Sequence, residues 1–401
     1  MLAAAVLVPV DCGAVDFDID GFVDARLVAP PAAQSWTNGG PGQTRFGGGG
    51  ELARFGDAAA VGSVLLTPEL LGVVDVQAHT TDQASIDLVE AYLRYRPVST
   101  TPFRWSIKLG EFFPPLSLEN DGVGWTSPWT LTPSAINSWI GEELRIIGSE
   151  LHGEWRGETD RIEASAAVFG ANDPAGAILA ARGWSLSDVT YGIGGRLREP
   201  DSVAYAEGND APYRYDPFQQ IGNRPGWYGD LTWRSAEFGR FSIMRYDNDA
   251  NPASSVGDDE SGEFYAWHTR FWSAGARDDF GNVAVIGQVM SGTTDILPAP
   301  NYDFATKFQA GYLLLGWKEG AWRPAVRFDV FATEQIPRSY PWDHSEHGNA
   351  LTLALNWRPT GWCRVTAEIL RVDRWRPELI ADHLDAHTLS TQAQLGVRFL
   401  Y

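Results

Sequence analysis

Along most of this chain apolar and polar residues alternate one by one. From Asp16 onward, Phe17, Ile19, Val23, Ala25 and Leu27 stand against Asp16, Asp18, Asp20, Asp24 and Arg26. Phe103, Trp105, Ile107 and Leu109 alternate in the same way with Arg104, Ser106 and Lys108. A period of two puts one class of side chain on each face of a strand, with apolar surroundings on one side and water on the other. The pattern predicts hairpins over 58–66 with 71–80, 88–96 with 103–112, and 143–156 with 161–170. It predicts others over 227–234 with 240–247, 263–273 with 282–291, 307–317 with 322–333, and 349–357 with 362–372. With a first strand from Asp16 and a last from Leu389 to Tyr401, the count is about sixteen, an even number.

The connections between these segments alternate between short and long. Short ones carry turn residues, as in Thr67-Pro68-Glu69-Leu70 and Glu158-Thr159-Asp160. Long ones include 30–52 and 172–224, the latter with a predicted short helix over 173–183: Asp173 as N-cap, Pro174 next, Gly183 at the end. The pattern also breaks at Pro114-Pro115, and 116–141 shows no strand alternation. A connection of that length inside a compact domain is usually functional. The expectation is a loop, 114–141, folded into the lumen of a membrane barrel and narrowing its pore.

Tryptophans flank two of the short turns, at Trp317 and Trp322 and at Trp357 and Trp362. Indole favours a membrane–water boundary, where the ring is dehydrated and its N–H stays wet. A soluble sandwich would need apolar partners on the opposite strand faces, yet those carry Arg323, Arg327, Asp329, Arg364 and Glu368. Charges on one face of nearly every strand call for a water-filled interior. The expected fold is therefore all-β: a transmembrane antiparallel β-barrel with short periplasmic turns and long extracellular loops, one domain over 15–401.

Composition narrows the function. A net charge of −20 argues against a nucleic-acid partner. Lysine occurs only at 108, 307 and 318, so arginine supplies nearly all the positive charge. Leu2 to Val10 is an apolar run before Cys12 and Ala14, which reads as a signal peptide over 1–14 cleaved ahead of Val15, with the true start upstream. Cys363 is then left alone, without a disulfide. His344 and His347 with Asp343 and Glu346, and His383 with His387, fall on predicted outer loops and read as solvated groups; no metal and no cofactor is assigned. No Ser/His/acid motif stands out, so no enzyme activity is expected. The rival is a secreted polysaccharide-binding or polysaccharide-active β-protein using Glu142 with Glu143 or Asp258 with Asp259. Adjacent carboxylates on a strand point to opposite faces, which counts against it.

The last strand, alternating to Phe399 and an aromatic carboxy-terminal Tyr401, resembles the signal by which outer-membrane proteins meet the barrel-assembly machinery. The chain as a whole resembles Gram-negative outer-membrane porins. Within it, Lys108-Leu-Gly-Glu-Phe-Phe-Pro-Pro-Leu-Ser-Leu-Glu-Asn120 is similar to the strand-to-loop passage of the phosphate-selective porin O and P superfamily. That resemblance implies a passive channel in the outer membrane, among lipid and lipopolysaccharide, for small hydrophilic solutes or ions. The assembly is open between monomer and homotrimer. Phosphate preference is not carried over, because only Arg94, Arg104 and Lys108 could stand in for the family's basic ladder. The expected constriction sets Glu119 and Asp121 of the loop against Arg94, Arg104 and Lys108, with Glu111 and Arg145 beside them.

Overall fold

The computed structural model describes residues 16–50, 52–80, 86–202, 214–258, 262–338 and 343–401. The segment 1–14 and residue Asp259 lie outside them. Sixteen strands close into one barrel, each paired antiparallel with its neighbours. They are Asp16–Ala29, Leu52–Thr67, Leu70–His79, Asp87–Tyr95, Phe103–Phe112, Ile146–Arg156, Asp160–Gly170 and Gly226–Ser235. The others are Gly239–Asp247, His268–Phe280, Val283–Ala299, Tyr302–Trp317, Trp322–Ile336, Glu346–Thr360, Cys363–Trp375 and His387–Leu400. The barrel shuts where the first strand meets the last, from Phe22 opposite Leu400 to Ala29 opposite Ala393. Closure leaves no row of unpaired backbone groups, which a strand in hydrocarbon could not tolerate.

The alternation sorts as expected on the outside. Trp105, Leu109, Phe328, Val330, Leu353 and Leu355 are exposed on the outer wall, while Arg327, Asp329, Thr352 and Glu368 are buried inside. Trp322 stacks on Trp357 at one pair of short turns, with ring centroids 5.8 Å apart.

Four expectations need correction. The strict alternation of long and short connections fails once: Val283–Ala299 and Tyr302–Trp317 run on past 291 and 307 and meet across a two-residue turn at 300–301. Their extensions are rich in Thr, Asp and Pro, because strands beyond the hydrocarbon need no apolar face. The strand placed at 143 starts at Ile146, and the residues before it form a helix, α1 (Ala135–Glu143). The helix predicted over 173–183 shrinks to α2 (Ala177–Arg182), capped by Gly176. Asp173 instead accepts hydrogen bonds from the Ile221 and Gly222 amides, tying down the far end of its own long connection.

The fourth concerns the lumen. It is not uniformly water-filled: a continuous apolar cluster containing Trp129, Trp139, Trp184, Phe271 and Phe308 occupies much of the inside. Two connections, 113–145 and the described parts of the one between 171 and 225 (171–202 and 214–225), fold inward to make it.

Candidate constriction site

The first inward loop owes its shape to a few residues. Ser134, following Pro133, caps α1 by accepting from the Asn137 amide at 3.3 Å. Ile136, Trp139 and Ile140 then fall at helical spacing, and every residue of α1 is buried. The Trp139 ring sits 5.5 Å from Phe271, 5.2 Å from Phe308 and 6.0 Å from Trp184.

Polar docking matches this packing. Arg327 donates to Glu119 at 2.7 Å and to Asp329 at 2.8 Å, and reaches the Thr132 and Pro133 carbonyls. Glu119 in turn accepts from the Ser134 amide and the Asn137 side chain, both at 3.0 Å. Glu368 accepts from the Leu131 and Thr132 amides. The alternating pattern sets these three wall residues against open water; in the structure they are instead the loop's anchors.

The second inward connection packs over the first. Glu142 accepts from Arg182 at 2.5 Å and from Ser185 at 2.7 Å. Glu143 accepts from Trp139 Nε1 at 3.0 Å, the Leu179 amide at 3.0 Å and the Gly176 amide at 2.7 Å. Burial pushes the Glu143 carboxyl up to about 7, against the lowering pull of Arg182 and of those amides. So the adjacent carboxylates of the polysaccharide reading lie on a helix, not a strand, and both are fully buried among loop contacts. They have no room for a sugar.

Between the loops and the opposite wall a cavity of about 20 Å³ remains, room for roughly one water. Its wall side includes Asp57, Gln77, His79 and Arg398; its loop side includes Asn120, Ser127 and Asp188. The charges here interlock. Arg26 contacts Asp24 at 3.1 Å, Asp57 at 2.6 Å and Asp188 at 2.6 Å. Arg45 contacts Asp57 at 2.8 Å and Asp188 at 3.2 Å, and Arg398 contacts Asp24 at 2.6 Å. Asp24 points inward by the strand's own alternation, on the same face as Phe22, Arg26 and Val28.

The residues expected to form the constriction are split between places. Arg94 and Lys108 are cross-strand neighbours, and Lys108 pairs with Glu150 at 3.2 Å, its ammonium 4.5 Å from the Phe112 ring. Arg104 lies opposite Glu154. Glu119 does not face them but pairs with Arg327, and Asp121 pairs with Arg277. The loop crosses the lumen to strands remote in sequence, which spacing along the chain does not reveal. Arg145 is sandwiched between Phe113 and Phe218 and donates to the Gly141 carbonyl. Burial draws it down to about 10, opposed by Glu111 and Glu90. Both Glu111 carboxylate oxygens are buried without a hydrogen-bond partner. Arg323 keeps an unpartnered Nε, and Arg364 donates to the Ser127 carbonyl at 3.2 Å.

Sequence reading missed Arg45, Asp57, Asp188 and Arg398. Asp24 and Arg26 were visible as the polar face of the first strand, but Arg45 and Asp188 sit in loops and meet only through tertiary folding. Of the histidines, His344 pairs with Glu378, His387 with Asp373, and His347 stacks on Trp375. Among the described residues Asp247, Asp249 and His268 stand close enough to share a cation, a set not singled out in the sequence.

A closed barrel narrowed by loops folded into its lumen is the architecture of outer-membrane porins. The outer-membrane channel DcaP of Acinetobacter baumannii superposes with a TM-score of 0.58 at 12% identity, covering 98% of this chain and 99% of that one. An anion-selective porin from Comamonas acidovorans gives 0.54 at 10% identity, covering 96% of this chain and all of its own. OmpF of Salmonella typhi, in complex with daunomycin, gives 0.54 at 11% identity over 96% and 97%. No family model matches the sequence, and no curated protein matches it. The likeness is one of fold: this chain has the porin barrel.

Proposed function

We propose that the chain is a porin of a Gram-negative outer membrane, passing small hydrophilic solutes or ions by passive diffusion with no chemical step. The observation that carries this reading is the loop 113–145. It springs from the end of one strand, crosses the lumen, and is clamped to the far wall by Glu119, Arg327, Asp329 and Glu368. Such a crossing narrows a channel rather than lining a surface cleft. The interlocked charges around Arg26, Asp57 and Asp188 border the narrow gap left between the loops and the wall, and an ion passing there would travel well within the roughly 8 Å screening length of physiological salt. They act on selectivity despite the net charge of −20.

The finer resemblance, to the phosphate-selective O and P superfamily, rests on 108–120 alone. A homotrimer is part of the proposal, since the similar Vibrio cholerae OmpT is known in a trimer form. Lipid, lipopolysaccharide and the barrel-assembly machinery are the partners such a barrel would meet.

Single-channel recording in planar bilayers tests the reading. Discrete conductance steps with a measurable reversal potential in a salt gradient are expected. Asp188→Asn, which loosens the second loop from Arg26 and Arg45, should raise the conductance. A folded barrel with no conductance in either form would overturn the proposal.

A further inference from the structure

On the outer wall, toward the long loops, strand register groups three cations around one aromatic ring. Trp272 lies opposite Arg245 and Ser291; Arg270 lies opposite Thr293, which lies opposite Lys307. These positions alternate with the buried Phe271, Thr294 and Phe308, so they share the outward face of the exposed Trp272. Lys307 stands about ten residues from Trp317, at the short-turn end of its strand, and Arg270 about as far from Phe280. At roughly 3.3 Å per residue and a tilt of about 40°, that span is about 25 Å, the height of a barrel's apolar band. The cations therefore stand at the band's far border, level with the headgroups of the long-loop leaflet.

Two hollows follow one another down this face. The upper, of about 420 Å³, is lined by Arg245, Arg270, Lys307, Trp272 and Glu334 over small residues such as Ser291. The lower, of about 540 Å³, is lined by Phe241, Ile243 and Val289 around Ala274, Ala276 and Gly287. Ala274 and Val289 are one outward step from Trp272 and Ser291, so the lower hollow continues the upper toward the membrane centre. Small residues on a lipid face leave a trough that hydrocarbon must fill, since an empty one forfeits dispersion contacts.

The chain's own carboxylates engage the cations in part. Arg245 contacts Asp247 at 3.5 Å, Arg270 contacts Asp295 at 2.9 Å, and Lys307 contacts Glu334 at 3.9 Å. Asp247 and Asp295 stand outside the hollow, one step nearer the loops. Among the described residues Arg245 hydrogen-bonds through Nη2 alone and Arg270 through Nη1 alone, so both guanidinium groups keep further donors.

We infer that the paired hollows seat one phosphorylated, multiply acylated lipid of the outer leaflet, of the lipid A kind. Its headgroup phosphate meets Arg245, Arg270 and Lys307, and an acyl chain lies along Ala274, Ala276 and Gly287. Guanidinium forks match the several oxygens of a phosphate, and Trp272 takes the boundary between headgroup and chain. This deepens the lipid partnership proposed above and does not depend on the channel.

The full-length barrel in detergent is titrated with bisphosphorylated lipid A, and bound lipid is counted by native mass spectrometry. Arg270→Gln with Lys307→Gln should raise the dissociation constant on the order of tenfold, as should removing the phosphates from the lipid. Ala276→Phe fills the trough and should raise it without touching a charge. Lys318→Gln, at a short turn and paired with Asp279, should leave it unchanged. Inorganic phosphate should not displace the lipid; displacement would overturn the lipid seat in favour of a site for the free ion. Equal affinity in wild type and the double variant, or for lipid A with and without its phosphates, also overturns it. Lipid binding by a barrel that does not conduct keeps the seat and sinks the channel, and conduction without lipid preference does the reverse.

Discussion

Arg327 directs every guanidinium hydrogen at the loop or the wall around it and is wholly buried. Arg327→Met would strand Glu119 and Asp329 as buried, uncompensated charges. A loss of about 3–5 kcal/mol is expected, read as a lower urea midpoint for folding into vesicles. Neighbouring positions on the next strand give a second test. Leu353→Arg puts a charge in lipid and should cost roughly 2–4 kcal/mol. An open lumen would make Thr352→Arg cheap, but Thr352 is buried beneath the loop and bonded to Arg327. We therefore expect both substitutions to destabilise; a tolerated Thr352→Arg would mean that the loop does not seat there. Glu143 gives a third, in pH. Its folded pKa of about 7 lies above the ordinary 4.5, so the folded state holds the proton more tightly. The stability this contributes is fully present below about pH 4.5 and is lost as pH rises through about 7. It amounts to about 3 kcal/mol at most. Tryptophan fluorescence or proteolysis of the loops should show looser docking across that window, and Glu143→Gln should flatten the dependence.

Among the elements, α1 is the one whose removal should be felt as function. Trp139→Ala leaves a cavity amid Phe271, Phe308 and Trp184 and should cost about 3–5 kcal/mol. Much of that loss falls on the docking of the loop, so the variant should conduct more and admit larger uncharged solutes in liposome swelling, while the barrel still forms. An unchanged size cutoff would show that the helix does not narrow the path. The sequence announced that 114–141 was special but not that a helix lay in it. Ser134 with Ile136, Trp139 and Ile140 was the available signal, a span of two turns that periodicity scarcely registers. The strands were legible because each repeats its two-sided pattern many times against lipid. The error at 300–301 has the same cause in reverse: beyond the membrane the constraint lapses, and the pattern with it.

For the whole molecule, closure is the decisive event. Gly21 and Tyr401 exchange backbone hydrogen bonds at 3.0 and 3.1 Å, and Trp362 stacks on Phe399. Deleting residues 399–401 removes this last rung of the seam, and the truncated chain should lack the heat-modifiable band of a folded barrel on cold electrophoresis. What the sequence determined by itself was the wall: strand number, the face each side chain takes, the tryptophans at the short turns, and the presence of one long inward connection. Those follow from a local rule, since lipid outside and polar or loop contacts inside act on each residue through its immediate neighbours along the strand. What only the tertiary structure decided was who meets whom across the lumen. Glu119 finds Arg327, and Asp188 finds Arg26 and Arg45. Such partnerships depend on loop path and strand register, which are set by summed packing over the whole barrel and leave no periodic trace along the chain.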